Sequence, residues 1–269
     1  MERKVHNWTQ GAAALVIGAV VLAAVPAHLT AGLFYDNFDR DDTTVMYPDW
    51  YEQHGDWAVV DGAAHSAVGE SGTFCSLMTV GWYADPQPAV HVTVEYDGDP
   101  RATYAAVVLL YLDNETNAFI KIQDGYAGSP PDGLFDTVYF YKGNNGGTEE
   151  GGEMYRPLVP EVRVWDDLAP YFSRARLMAW VQGDGVYLAI DRDFDGVPEP
   201  ADIDLDGEPD SSCYSRQGIP LEEFGYGVGL GGFNGARCDD FIILPDPGTL
   251  ALVGLGAAGL AAARRRRRT

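Results

Sequence analysis

The sequence predicts an all-β domain built as an antiparallel two-sheet sandwich. Apolar residues recur with period two along the middle of the chain, and turn formers are abundant, with 32 Gly and 16 Pro in 269 residues. No segment between the termini sustains a 3.6-residue apolar stripe. Hydrophobic residues at 46% and aromatics at 12% are enough for a real core, which excludes a globally disordered chain.

The strands follow in order. Val90, Val92, Val94 and Tyr96 alternate with His91, Thr93, Glu95 and Asp97, so one face is apolar and the other polar. Val186, Leu188 and Ile190 repeat the alternation. Ala105 to Leu112 is almost continuously apolar, as expected of a strand covered on both faces. Further strands are expected at Trp57–Val60, Phe74–Val80, Ala118–Gln123, Phe135–Lys142, Arg176–Gln182, Tyr226–Leu230 and Cys238–Leu244. Gln182-Gly183-Asp184-Gly185 reads as a hairpin turn, since Asp-Gly accepts the positive φ such turns need.

The formal charge of −22 understates the acidity of the middle. Residues 28–263 hold 11 basic and 39 acidic residues, a net −28. So negative a surface repels phosphate backbones and excludes nucleic acid as a partner.

Both termini read as signals. Residues 1–27 have the form of a signal peptide. Arg3 and Lys4 precede an apolar run of 15 residues, Gly11 to Val25, and Val25-Pro26-Ala27 offers small residues for cleavage, with Leu29-Thr30-Ala31 as a second site. Fifteen residues fall short of the roughly 20 that span a bilayer. Residues 245–269 begin with Pro245-Asp246-Pro247-Gly248. The apolar stretch Thr249 to Ala263 follows, then Arg264, Arg265, Arg266, Arg267 and Arg268. The stretch is expected to be helical, with the arginines held on the cytoplasmic side. These three parts in this order resemble the PEP-CTERM sorting tail, with Asp246 in place of the usual Glu. The resemblance implies a bacterial protein exported across the inner membrane and processed by an exosortase. It also implies membrane contact through the C-terminal helix and a final place in the envelope, at the cell surface or in the extracellular matrix.

Small motifs order residues 28–244. Asp36-Asn37-Phe38-Asp39-Arg40 opens the region, and Trp50 leads to Gly55-Asp56-Trp57 and Asp61-Gly62. Leu110-Tyr111-Leu112-Asp113-Asn114 runs into Asn117-Ala118-Phe119-Ile120, and Gly227-Val228-Gly229-Leu230 precedes Ala236-Arg237-Cys238-Asp239-Asp240-Phe241. The series resembles the concanavalin A-like lectin/glucanase jelly roll in its laminin G-like form. That fold sets the first and last strands side by side, which implies that Asp36 lies near Asp240.

The sharpest chemical signal is an acidic insertion at 191–210, with nine carboxylates and one Arg in 20 residues. Asp191, Asp193 and Asp195 before Gly196 give D-x-D-x-D-G, and Asp202, Asp204 and Asp206 before Gly207 give it again. Alternate carboxylates at this spacing converge on one hard cation, and Gly at position six permits the tight turn, so structural Ca2+ is the expected cofactor. The carbonyl of Val197 falls at position seven of the first loop, Glu199 at nine and Asp202 at twelve. Asp202 thus closes one loop and opens the next, which resembles dockerin and thrombospondin type 3 repeats. The second loop has Glu208 at seven and Asp210 at nine, but Cys213 at twelve, where an acid is expected. Without a cation, the segment is simply a solvated acidic loop.

Export places Cys75, Cys213 and Cys238 in an oxidising compartment. Cys213 and Cys238 are the expected disulfide, tying the segment after the acidic loop to the last strand, with Cys75 as a small buried residue. No catalytic constellation is visible. The E-x-D-x-E strand of the fold's glucanases, H-E-x-x-H and G-x-S-x-G are all missing, and two G-x-G-x-x-G matches, Gly227 to Gly232 and Gly254 to Gly259, lack the strand-to-helix context. Tyr139, Tyr141, Trp180 and Tyr187 on predicted strands are candidates for stacking a sugar, although core packing is the default for a strand aromatic. The sequence therefore points to a non-catalytic surface protein that binds carbohydrate, with extracellular polysaccharide as partner. The alternatives are a structural envelope or matrix protein without a ligand, and an enzyme acting on polysaccharide.

The terminal signals generate a first prediction. Intact mass spectrometry of surface material should find protein lacking both residues 1–27 and Arg264 to Arg268. A dominant species that keeps the arginines would rule out exosortase processing.

Overall fold

The computed structural model describes residues 34–46, 48–66, 75–79, 87–96, 103–113, 116–124, 131–143, 155–158, 165–203, 206–233 and 236–244. The expected signal peptide (1–27), the sorting tail (245–269) and Asp204 lie outside the described residues. Among the described residues no helix is long and apolar enough to cross a membrane.

Sixteen strands are described. The first eight are β1 (Tyr35–Asp36), β2 (Trp50–His54), β3 (Trp57–Val60), β4 (Ala63–Ser66), β5 (Cys75–Thr79), β6 (Ala89–Glu95), β7 (Tyr104–Tyr111) and β8 (Asn117–Gln123). The others are β9 (Phe135–Gly143), β10 (Tyr155–Pro157), β11 (Trp165–Phe172), β12 (Arg174–Gln182), β13 (Gly185–Asp191), β14 (Tyr214–Arg216), β15 (Gly227–Phe233) and β16 (Arg237–Leu244). They form two antiparallel sheets. The first runs β14-β13-β12-β6-β16-β4-β3, with β1 added to β16, and the second runs β10-β9-β8-β7-β15-β5-β2, with β11 added to β9. This is the two-sheet sandwich expected from the period-two pattern. Every predicted strand is present, with bounds that differ by three residues at most.

The alternation sorts side chains onto faces as a pleat requires. On β12, Ala175, Leu177, Ala179 and Val181 are buried, while Arg176, Met178 and Trp180 between them are partly exposed. The inward residues join Val90, Val92, Val107, Ile120, Phe140, Leu188, Leu230 and Phe241 in one core between the sheets. The continuous apolar run of β7 is buried on both sides. Val107 and Leu109 face the core, while Ala106 and Val108 join Phe119 and Tyr111 in a second cluster on the outer face. Gly227 to Gly232 lies on β15, not at a strand-to-helix turn, and a Cβ on Gly232 would stand 2.8 Å from the Ser66 side chain.

The hairpin between β12 and β13 departs in detail from its expected turn. Gln182 pairs with Gly185, so the loop is Gly183-Asp184, and the positive φ (+62°) belongs to Gly183 rather than to the Asp-Gly pair. A two-residue loop with Gly first matches the twist of the flanking strands equally well.

The expected disulfide is not formed. Cys213 and Cys238 are both free thiols. Cys213 directly precedes β14 at the edge of the first sheet, and β13, β12 and β6 stand between it and Cys238 on β16. Four strand spacings, about 19 Å, far exceed what a disulfide can bridge. Burial pushes the Cys238 thiol up to about 12, which leaves it inert. Cys75 lies on β5.

The ends of the domain meet as expected. Tyr35 pairs with Ile242 and Asp36 with Phe241, and the Tyr35 hydroxyl donates to Asp240 Oδ1 at 3.3 Å. The opening Asp-Asn-Phe-Asp-Arg motif is what secures this closure. Asp36, 9% exposed, accepts hydrogen bonds from the Trp50 indole N–H (2.7 Å), the Phe38 amide (2.8 Å) and Arg40 Nη1 (2.8 and 2.9 Å to its two oxygens). Trp50 in turn packs on Phe34, Phe38 and Phe241 at 4.9–5.5 Å. Asp36→Ala would leave the buried indole donor without its acceptor and Arg40 without its counter-charge. Chemical denaturation should show a loss of about 2–3 kcal/mol, with Arg40→Ala costing less.

Candidate functional site

The acidic insertion leaves the end of β13 and folds into two loops of one design, eleven residues apart. In the first, the Glu199 amide donates to the Ile190 carbonyl at 2.9 Å, and in the second Asp210 donates to Ala201 at 2.9 Å. The Gly at position six donates to the first carboxylate in each: Gly196 to Asp191 Oδ2 at 3.1 Å and Gly207 to Asp202 Oδ2 at 2.9 Å. Val197 donates to Asp195 (2.7 Å) as Glu208 does to Asp206 (2.9 Å), and Arg192 donates to Glu199 (3.0 Å) as Ile203 does to Asp210 (2.7 Å). Gly196 and Gly207 sit at φ +86° and +90°, a region a side chain would strain, so both glycines are required by the turn.

The two loops differ in their carboxylates. Asp191, Asp193 and Asp195 each turn one oxygen into a common space, all within 4.8 Å of one another. Asp191 is buried at 2% exposure, Asp193 and Asp195 are exposed, and Asp191 Oδ1 is buried with no hydrogen-bond partner among the described residues. A buried carboxylate that has an oxygen without a hydrogen-bond partner and converges with two further carboxylates is what a hard cation would complete, so these residues fit Ca2+. Glu199 turns back to the Arg192 amide, which keeps it out of the converging group. Asp202, Asp206, Glu208 and Asp210 form no second converging group among the described residues. Asp202 keeps Oδ1 buried without a hydrogen-bond partner there.

Sequence reasoning missed what holds the first loop in place. Arg192 Nη2 donates to the Leu168 carbonyl of β11 at 2.9 Å and lies over the Phe172 ring at 5.4 Å, both in the second sheet. Phe194, at φ +63°, packs its ring against Arg174 (5.0 Å) and Arg176 (5.3 Å) of the first sheet. Alternate loop residues thus fasten opposite sheets. Arg176 also meets Asp191 Oδ2 at 3.1 Å. A signal for that pair was in the sequence: counting six residues outward from Gln182 and Gly185 reaches Arg176 and Asp191.

The four candidate aromatics fall into two parallel pairs, one on the outer face of each sheet, and none belongs to the core between the sheets. Trp180 and Tyr187 face each other across β12 and β13 at 5.2 Å and 8°, both partly exposed, with the Gln217 amide donating to the Tyr187 hydroxyl at 2.9 Å. Tyr139 and Tyr141 stack along β9 at 5.4 Å and 10°; Tyr139 is 8% exposed. Between them sits Lys121, unremarked in the sequence, its Nζ 4.6–5.4 Å from the ring centres of Tyr139, Tyr104 and Tyr141. Burial pushes its ammonium down to about 8. The alternating pattern of β8 put Lys121 on this outer face, but only the pairing of Lys121 with Tyr139 shows that rings surround it.

No protein-family model matches the chain, and no curated protein matches it. Among solved structures, the VIP36 exoplasmic/lumenal domain in a Ca2+/Man3GlcNAc-bound form is similar with a TM-score of 0.47 at 11% identity, over 76% of this chain and 88% of that one. The potassium-bound carbohydrate recognition domain of Emp46p is similar at 0.47 and 10%, over 78% and 95%. A legume lectin-like domain from Entamoeba histolytica is similar at 0.45 and 11%, over 73% and 89%. A GH43 glycoside hydrolase is similar at 0.46 and 12%, over 81% of this chain and 41% of that one. Likenesses this distant bear on neither ligand nor mechanism.

The loop geometry generates a thermal test. Calcium that binds only the folded protein raises stability by about 2.7 kcal/mol at roughly 100 times Kd. Chelation should lower Tm and added calcium restore it. Asp193→Ala and Asp195→Ala should blunt that response more than Asp206→Ala, because the second loop carries Cys213 where its closing acid should be. A Tm indifferent to millimolar calcium would mean that the segment is a solvated loop.

Proposed function

We propose that the chain is an exported, non-catalytic surface protein whose sandwich, of the concanavalin A-like kind, binds carbohydrate and is stabilised by calcium at Asp191, Asp193 and Asp195. The observation that carries the binding function is the Trp180–Tyr187 pair. Its rings are parallel, half-buried and turned outward, with a Tyr hydroxyl and the Gln217 amide at their edge. A flat apolar surface bordered by hydrogen-bonding groups suits a saccharide, which offers C–H faces and hydroxyl rims. Of the four candidate aromatics this pair is the better placed, because Tyr139 is buried against Lys121.

Export and exosortase sorting rest on the terminal sequences. They make the cell's own extracellular polysaccharide the nearest ligand, met at the envelope or in the matrix. The net −28 of residues 28–263 favours a neutral polymer over a polyanion.

A glycan array of the purified protein tests this function. Selective binding is expected, and Trp180→Ala should weaken it on the order of tenfold, the scale of a lost stacking contact. An array on which nothing is retained would favour a structural matrix role instead.

A further inference from the structure

Asp191 is 2% exposed, and a carboxylate so removed from water needs a counter-charge. That charge is supplied by Arg176, which faces Asp191 in register across the hairpin and places Nη1 3.1 Å from Oδ2. Oδ2 also accepts the Gly196 amide, Oδ1 is buried without a hydrogen-bond partner, and one carboxylate oxygen of Asp191 lies within 4.8 Å of oxygens of Asp193 and Asp195. The guanidinium also packs against the ring of Phe194, a residue of the same loop, at 5.3 Å. The loop therefore closes its own ring over the cation that neutralises its own first carboxylate.

We propose that Arg176 is a resident counter-cation of the first loop, holding it folded before calcium arrives and weakening calcium binding once it does. The inference rests on the calcium site proposed above. An ion held by Asp191 would share one carboxylate group with a fixed positive charge, and the two repel. At the effective dielectric of a half-exposed site, such a repulsion weakens binding on the order of tenfold. Arg176 thus acts through Asp191 and takes no place among the metal ligands. Arg174 is the internal control, since it shares Phe194 at 5.0 Å but meets Glu95 rather than Asp191.

Calorimetric titration of the chelator-treated protein with calcium chloride, paired with melting in chelator and in calcium, tests this. R176Q should bind calcium on the order of tenfold more tightly than the parent, a change of about 1.4 kcal/mol. It should also melt lower in chelator and gain more from calcium. R176K, which keeps the charge, and R174Q should stay within about threefold of the parent affinity. R176Q that folds only in calcium would also support the inference, because the ion then replaces the missing charge. R176Q that folds in neither condition, or that binds calcium no more tightly than the parent, overturns it. If the parent protein itself binds no calcium, the metal site fails first and this inference with it.

Discussion

The register of one hairpin governs the chemistry of this molecule. The Gly183-Asp184 turn sets Gln182 opposite Gly185, and every pair along β12 and β13 follows from it. Trp180 then faces Tyr187, and Arg176 faces Asp191. A slip of one residue would turn each of these side chains into the core and bring Ala175 and Leu177 outward. The aromatic pair and the acidic loop are therefore two ends of a single ladder, four residues apart on either strand. Neither can be repositioned without the other.

A chain so rich in acid must also choose which acids to bury. Among the described residues four Asp are buried at 9% exposure or less: Asp36, Asp124, Asp166 and Asp191. Three have an Arg within 3.1 Å, namely Arg40, Arg216 and Arg176. The fourth, Asp124, accepts the amides of Asp132 and Gly133 at 3.1 and 3.0 Å. Basic residues are scarce between 28 and 263, and these three stand where a buried charge would otherwise go unmatched. The other described carboxylates are partly or fully exposed, where water screens them.

Strands with alternating or continuous apolar runs were legible in the sequence because burial on one or both faces leaves a periodic trace. β1, β2, β4, β10, β11 and β14 were not. Most are short edge strands, whose pairing depends on a neighbour rather than on their own pattern. β11 carries Asp166, Asp167 and Pro170, a composition that argues against a strand. It is accommodated at the edge of β9, with a register shift between Asp167 and Phe172. The metal-loop spacing was legible because it is local in sequence. Its anchors, Arg176 on β12 and Leu168 on β11, come from elsewhere in the chain, and only the pairing of strands brings them near. The disulfide expectation failed for the same reason: neighbourhood in sequence said nothing of the three strands between Cys213 and Cys238.

The pairing of β1 with β16 has a mechanical consequence. The described chain leaves the domain at Leu244, at the end of β16, with Ala89 of β6 opposite Leu244 on one side and Tyr35 of β1 opposite Ile242 on the other. Antiparallel hydrogen bonds lie across the strand direction, so tension along β16 loads several of them at once, in shear, instead of peeling them one by one. A domain tethered through its C-terminal strand would meet drag from flow or from a moving matrix with its most resistant geometry. The Ile243 amide, donating to the Phe34 carbonyl at 2.9 Å, shares that load with the opening segment of the domain.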